Sequence, residues 1–504
     1  MRRTTALIGA GTAAAILITG CSTGEGTDLG GTSGGLVAAI AGEPDQLDPH
    51  MTTSYFSFQV LENVYDTLVE PDENLEMQPA LAQSWDLSED QLTWTFNLRD
   101  GVTFHDGSEF TADDVLYSYN RIIDGELSNA WRLSAIEDIV AVDPHTVEIT
   151  VSQPSPNLLS NLGGFKGLAI VQQANVDSGD ITTHPIGTGP FALDDYTSGD
   201  SITLTANENH WAGAPEIPSV TFRFISEGST AIAALKGGEI DWTDSIPTQQ
   251  VEGLAGDSEV LTLGQTPSND YWYLALNQNR EPWSDVRVRQ AIAYAIDRDA
   301  IVQATSYGTA TANQLAIPVQ SVWYSEYDTY STDLGRAQDL LDEAGVDDLT
   351  LDLMVSSDYP ETVTAAQIIA DNLEPLGITV EIRSPDFATW LDEQNTGEFD
   401  MLMMGWLGNI DPDDFYYAQH HSDGASNAQG YANAEVDGLL DEARTETDAD
   451  TRKELYGELA TIIADEASYI YLYNPSVIQA WNPDLDYEVR GDRAVRFRDV
   501  SFGK

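Results

Sequence analysis

Cysteine is nearly absent. The 504-residue chain carries one, Cys21, which rules out an intrachain disulfide and any zinc centre built on several thiolates. Basic residues are scarce too. Against 83 Asp and Glu stand 22 Lys and Arg, for a formal net charge of −61, and the only lysines are Lys166, Lys236, Lys453 and Lys504. Such a chain has little with which to neutralise phosphates, which argues against nucleic acid as a partner. The acids are spread along the chain rather than gathered in a tail, as expected of a solvated acidic surface suited to a salty medium. A sharper reading is local attraction of a cationic ligand in a cleft. Long apolar runs are also missing: the best one, near the N-terminus, falls short of the ~20 residues that span a bilayer. Histidines show no metal-ligand spacing. His105, His145, His184 and His210 are scattered near turns, and the adjacent His420 and His421 would point about 100° apart on a helix.

What is present begins with the N-terminus. "MRR" is a positive n-region and "ALIGAGTAAAILITG" a short apolar h-region, followed at once by Cys21. "ITGC" resembles a bacterial lipobox. The expectation is that residues 1–20 are a signal peptide and that Cys21 is lipid-modified as the first mature residue. Residues 21–35, rich in Gly, Ser and Thr, read as a flexible tether. The protein is then extracytoplasmic, held to the outer face of the cell membrane. One acyl chain binds weakly, so firm anchoring needs two or more on Cys21.

With 42% hydrophobic residues the remainder can bury a sizeable core, and the length suggests two or three domains. "LTWTFNLR" (Leu92–Arg99), "HTVEITVS" (His145–Ser152) and "SITLTAN" (Ser201–Asn207) alternate apolar and polar residues as strands do, and "VTFH" between two Asp-Gly turns reads as a hairpin. Thr111 is placed to cap a helix with Asp113 and Asp114 in its first turn. The second half alternates helix and strand: a long helix from Ser284 or Asp285 through Val302, then "AQDLLDEAG", "LTLDLMVS", "ETVTAAQIIADNLEPLG", "ITVEIR", "PDFATWLDEQ" and "FDMLMMGW". A last helix carries Leu455, Leu459, Ile462 and Ile463 on one face. The class is α/β, and "GQTPSNDYW" near residues 264–272 is the best boundary between the halves.

Several motifs have bland readings. "GTGP" (Gly187–Pro190) lacks the Lys-Ser/Thr and the following helix of a phosphate loop and reads as a tight turn. "DPDDF" (Asp411–Phe415) lacks the spacing of a calcium loop and reads as a helix start, with Asp411 as N-cap and Pro412 at N1. Among so many acids no nucleophile–base pair stands out, so a secreted hydrolase, the rival class, has no support. One stretch remains: "MMGWLGNIDPDDFYY" (Met403–Tyr417) sets Trp406 between Gly405 and Gly408, beside an acidic run.

An ordered series of segments resembles the dipeptide/oligopeptide-binding family of ABC-transporter solute-binding lipoproteins. It comprises "LDP" (Leu47–Pro49), "VYDTLVE" (Val64–Glu70), the run Leu81–Ile122, "PIGTGPFAL" (Pro185–Leu193), Asn207–Ile225, "ALKGGEIDW" (Ala234–Trp242), Tyr273–Val302 and Ala337–Gly345. The resemblance implies a two-lobed periplasmic-binding-protein-like (type II) fold with an extra subdomain inserted in the first lobe. Residues 36–55, 184–268 and 485–504 would form region I, residues 56–183 the inserted region II, and residues 269–484 region III, the second lobe. It further implies a monomer without cofactor, closing on a peptide and passing it to membrane permease subunits. An oligosaccharide, an opine-like compound or a metal chelate is the alternative solute. In the family's peptide binders the stretch around Trp406 pairs with the ligand backbone, and an aspartate just after it holds the ammonium. Here Asn409 stands at that place, with Asp411 as the alternative anchor. Gly405, Trp406 and Leu407 would form the wall, and Tyr55, Tyr271 and Asn427 would complete the site.

Overall fold

The computed structural model describes residues 34–164, 166–407 and 410–503, so Cys21, Gly408 and Asn409 lie outside the described residues. Two large sheets carry the architecture. The first has seven strands in the order Thr262–Pro267, Ser476–Trp481, Trp242–Thr243, Leu36–Ile40, Ser219–Phe224, Ser201–Ala206 and Phe191–Thr197. Leu36–Ile40 lies at its centre, parallel to Ser219–Phe224 on one side and to Trp242–Thr243 on the other. The second has six strands in the order Thr311–Ala312, Tyr469–Asn474, Tyr271–Leu276, Met401–Trp406, Thr350–Met354 and Thr379–Arg383. Thr350–Met354 is parallel to both of its neighbours. A smaller antiparallel sheet, Ala82–Leu87, Thr93–Leu98, Thr146–Val151 and Ile136–Asp143, belongs to the inserted unit.

Each sheet has its own core. Leu36, Ala38, Ile40, Phe222 and Trp242 gather with Phe497 from the C-terminal segment under the first, and Leu68 through Ile170 supply that of the inserted unit. Packing changes hands between Tyr65 and Leu68 and again around Ala169–Val171, inside the 56–183 read from the sequence. Among the described residues no helix is long and apolar enough to cross a membrane.

Two strand pairs pass from one sheet to the other side by side. Pro267 and Ser476 are the last partners in the first sheet, and Trp272 pairs with Tyr473 in the second. Between them Ser268 N donates to Pro475 O at 3.0 Å and Asn474 Nδ2 donates to the Asp270 carbonyl at 2.9 Å. Such a double crossing permits lobes to rotate while few torsions change. It falls within residues 264–272. On the return, Ser476–Trp481 belongs to the first sheet, so the chain crosses back at Pro475.

Local chemistry explains most elements. Thr111 and Asp114 form a capping box at the start of Ala112–Asp124. The helix expected from Ser284 to Val302 is two: Asp285 caps Val286–Ala295, and Asp297 caps Arg298–Ser306 after Ile296 turns extended. A second N-cap acid inside an apolar pattern breaks the helix. "VTFH" forms only a single bridge, Thr103 to Glu109. Helix Ala449–Asp465 buries Arg452, Tyr456, Leu459 and Ile463, a face rotated from the one read off its leucines, because Arg452 turns inward to a carboxylate.

Candidate functional site

In open α/β sheets ligands bind outside the carboxyl ends of the parallel strands. In the first sheet Trp242–Thr243 ends there at Asp244. In the second, Thr350–Met354 leads to Tyr359 and Glu361, and Met401–Trp406 to Leu407. Contacts between the lobes show that these edges face one another. Arg493, from the C-terminal segment of the first lobe, pairs with Asp270 at 2.7 Å and its charge reaches Glu361, whose carboxyl is pushed up by burial and drawn down by that arginine. On the inserted unit, Gly164 lies against the tip of Ile410 and Arg132 lies 3.8 Å from Asp414.

The first-lobe wall is built on helix Tyr55–Leu61. Tyr55 is 38% exposed. Its hydroxyl donates to Asp244 Oδ2 at 3.2 Å and also lies 3.4 Å from the Arg493 carbonyl. One turn on, Gln59 Nε2 donates to the same Oδ2 at 2.7 Å. Burial pushes the Asp244 carboxyl up, while the Tyr55 and Gln59 hydrogen bonds draw it down. Arg493 has φ +59°, a left-handed backbone that costs a non-glycine residue about 1–2 kcal/mol; such strain persists where the surroundings over-determine it.

The stretch around Trp406 is packed within its own sheet at Gly405. Gly405 is directly opposite Trp272 across the antiparallel pair, and a Cβ on it would stand 3.1 Å from the indole. The bare backbone accommodates a tryptophan of the same sheet. Trp272 in turn stacks on Tyr473 and meets Tyr359 edge-on. Trp406 is half-buried against the second-lobe core and Leu407 is exposed at the strand end. Asn409 lies outside the described residues.

Three expected site residues are committed elsewhere. Tyr271 is fully buried, its ring packed on Phe415 and Tyr471. Asp411 caps helix Pro412–His420, as "DPDDF" indicates, and its carboxylate is buried and takes two hydrogen bonds from Arg452, at 2.6 and 2.8 Å. Asn427 donates to the carbonyls of His421 and Tyr431 and so ties its own loop. Tyr55, by contrast, is partly exposed beside Asp244.

Other motif residues hold the scaffold. Asp48 of "LDP" pairs with both Arg121 nitrogens, at 2.5 and 3.0 Å. His50, donating to the Ala169 carbonyl at 2.8 Å, is kept neutral by burial and by Arg121, its pKa pushed down to about 4. Asp66 accepts from Thr188 and Trp211. Gly187 is pressed so closely on Val64 that a Cβ would stand 2.0 Å from its carbonyl oxygen, which accounts for "GTGP" as packing. Asp244, Gln59 and Glu361 gave no signal among so many acids and amides. Arg493 did: Arg490, Arg493, Arg496 and Arg498 crowd into nine positions of a chain poor in basic residues. Among the described residues no three His, Cys, Asp or Glu side chains converge as metal ligands.

Comparison with known proteins places this geometry. Heme-binding protein A of Haemophilus influenzae is 29% identical over 446 residues, 81% of each chain. Glutathione-binding protein GsiB of Salmonella typhi is 29% identical over 481 residues, 92% of this chain and 94% of its own. The structure of the ABC transporter-associated periplasmic binding protein DppA from Helicobacter pylori, in complex with peptide STSA, superposes with a TM-score of 0.82 at 28% identity, covering 94% of this chain and 98% of its own. The fold is thus the two-lobed type II arrangement. The family profile described as bacterial extracellular solute-binding proteins, family 5 Middle, matches residues 76–427, and with most of its length so matched the chain belongs to the bacterial extracellular solute-binding proteins of family 5.

Proposed function

We propose that this chain is the extracytoplasmic receptor of an ABC importer, capturing a peptide between its lobes and delivering it to the membrane permease. The observation that carries the reading is the pair of sheet edges, Asp244 on one side and Tyr359 to Leu407 on the other, facing across a double-stranded crossing. Family membership and the peptide held by the Helicobacter pylori relative support it. Tyr55, Trp406 and Leu407 serve as wall, with Asn409 as a polar contact. The role is binding rather than catalysis, carried out by a monomer.

Native mass spectrometry with a library of tri- to pentapeptides tests the assignment. Retention of a subset at one-to-one stoichiometry is the expected result. Retention of none, with capture of an oligosaccharide, an opine-like compound or a metal chelate instead, transfers the role to that solute. The anchor is tested separately: with Cys21 lipidated, Cys21→Ser releases the protein into the medium, and firm membrane association of that variant refutes it.

A further inference from the structure

Asp244 has an unusual set of neighbours for a carboxylate lodged in a cleft wall. Its Oδ2 takes both hydrogen bonds, from Gln59 Nε2 and from the Tyr55 hydroxyl. No described Lys or Arg forms an ion pair with it, since the nearby Arg493 guanidinium is drawn 2.7 Å from Asp270. Gln59 is 1% exposed. Because its Nε2 is fixed on Asp244, the orientation of the amide is fixed too, and Oε1 is a buried acceptor with no hydrogen-bond partner. Buried acceptors are almost always paired, so an unpaired one beside a carboxylate that feels Arg493 only at a distance marks a place that a donor fills. Tyr55, on the other side of Asp244 Oδ2, is partly exposed.

We propose that Asp244 and Gln59 Oε1 together hold an ammonium group of the solute, on the first lobe and not on the strand end that follows Trp406. An ammonium brings three donors and a positive charge in direct contact, which Arg493, held on Asp270, does not give Asp244. It supplies Asp244 with a counter-ion while giving Gln59 Oε1 its hydrogen bond, which a neutral amide nitrogen does only in part. Arg493 stays on Asp270 and keeps the two lobes in register. The assignment rests on the reading of this cleft as the solute site, and it makes that solute a free amine.

The test is calorimetry on the full-length protein with three probes: tetra-alanine, N-acetyl-tetra-alanine and the diamine putrescine. The wild type is expected to bind the free-amine peptide at least ~10-fold tighter than the acetylated one, the scale of one charge-assisted contact. Asp244→Asn, with an unchanged melting curve, abolishes that preference. Gln59→Met, which leaves the carboxylate in place, reduces it and serves as the second variant should Asp244→Asn fold poorly. Equal affinity for the two peptides, or a preference that survives both substitutions, overturns the ammonium assignment and leaves peptide capture standing. Binding of putrescine but of neither peptide, lost in Asp244→Asn, does the reverse. If no amine binds, the assignment falls.

Discussion

Asp411 and Arg452 form a bidentate ion pair with both side chains almost fully enclosed. Removing one partner of such a pair strands the other charge, at a cost of about 3–5 kcal/mol. Asp411→Ala should therefore lower unfolding free energy by that amount in a urea titration, while the affinity of the folded fraction for solute stays as it was. A loss of affinity without loss of stability would return Asp411 to the ligand site. Trp406 should behave in the opposite way. Half-buried at the strand end, it is expected to weaken solute binding by about 1–3 kcal/mol on substitution by alanine, the range of an interface hot spot, with the fold intact. Unfolding of Trp406→Ala, or unchanged affinity by calorimetry, would make it purely structural.

At the scale of the element, helix Pro412–His420 opens with two acids against its positive end. Asp413 is packed inside, near Arg444 at 3.2 Å, and burial pushes its pKa up to about 7, with Asp411 and Asp414 adding to the effect and Arg444 opposing it. The sign follows from proton counting. Between about pH 4 and 7 the unfolded chain has released this proton and the folded chain still holds it, so the contribution of Asp413 to stability falls as pH rises through that window. Asp413→Asn mimics the protonated form. It should melt close to the wild type at pH 4.5 and above it at pH 8. Thermal melts across that range decide the matter, and parallel curves would show that Asp413 is ionised throughout.

The whole molecule carries −61 formal charges on a folded body, and their mutual repulsion disfavours compactness. The screening length falls from ~10 Å at 0.1 M salt to ~3 Å at 1 M. The melting temperature should rise with sodium chloride, most steeply in the dilute range, and a flat profile would remove the case for adaptation to salt. Ion pairs such as Arg121–Asp48 and Arg496–Glu62 are partly buried, so screening weakens them less than it relieves the surface.

Local rules were enough for much of this protein. Caps at Thr111, Asp285 and Asp411 and alternation in the strands depend on neighbours within a few residues, and they made the α/β order legible in the chain itself, while the family was read from the resemblance of an ordered series of segments. The site depended on partners that local rules do not reach. Asp411 is spoken for because Arg452 arrives from 41 positions away. Gly405 is bare because the facing strand supplies Trp272, and Asp244 meets Tyr55 across a separation of 189. Which carboxylate is paired and which is left open is set by burial and by which side chains the sheets bring together, and in a chain with an acid at one position in six or so no local pattern distinguishes them. Tertiary packing alone brought Asp244 together with Tyr55 and Gln59.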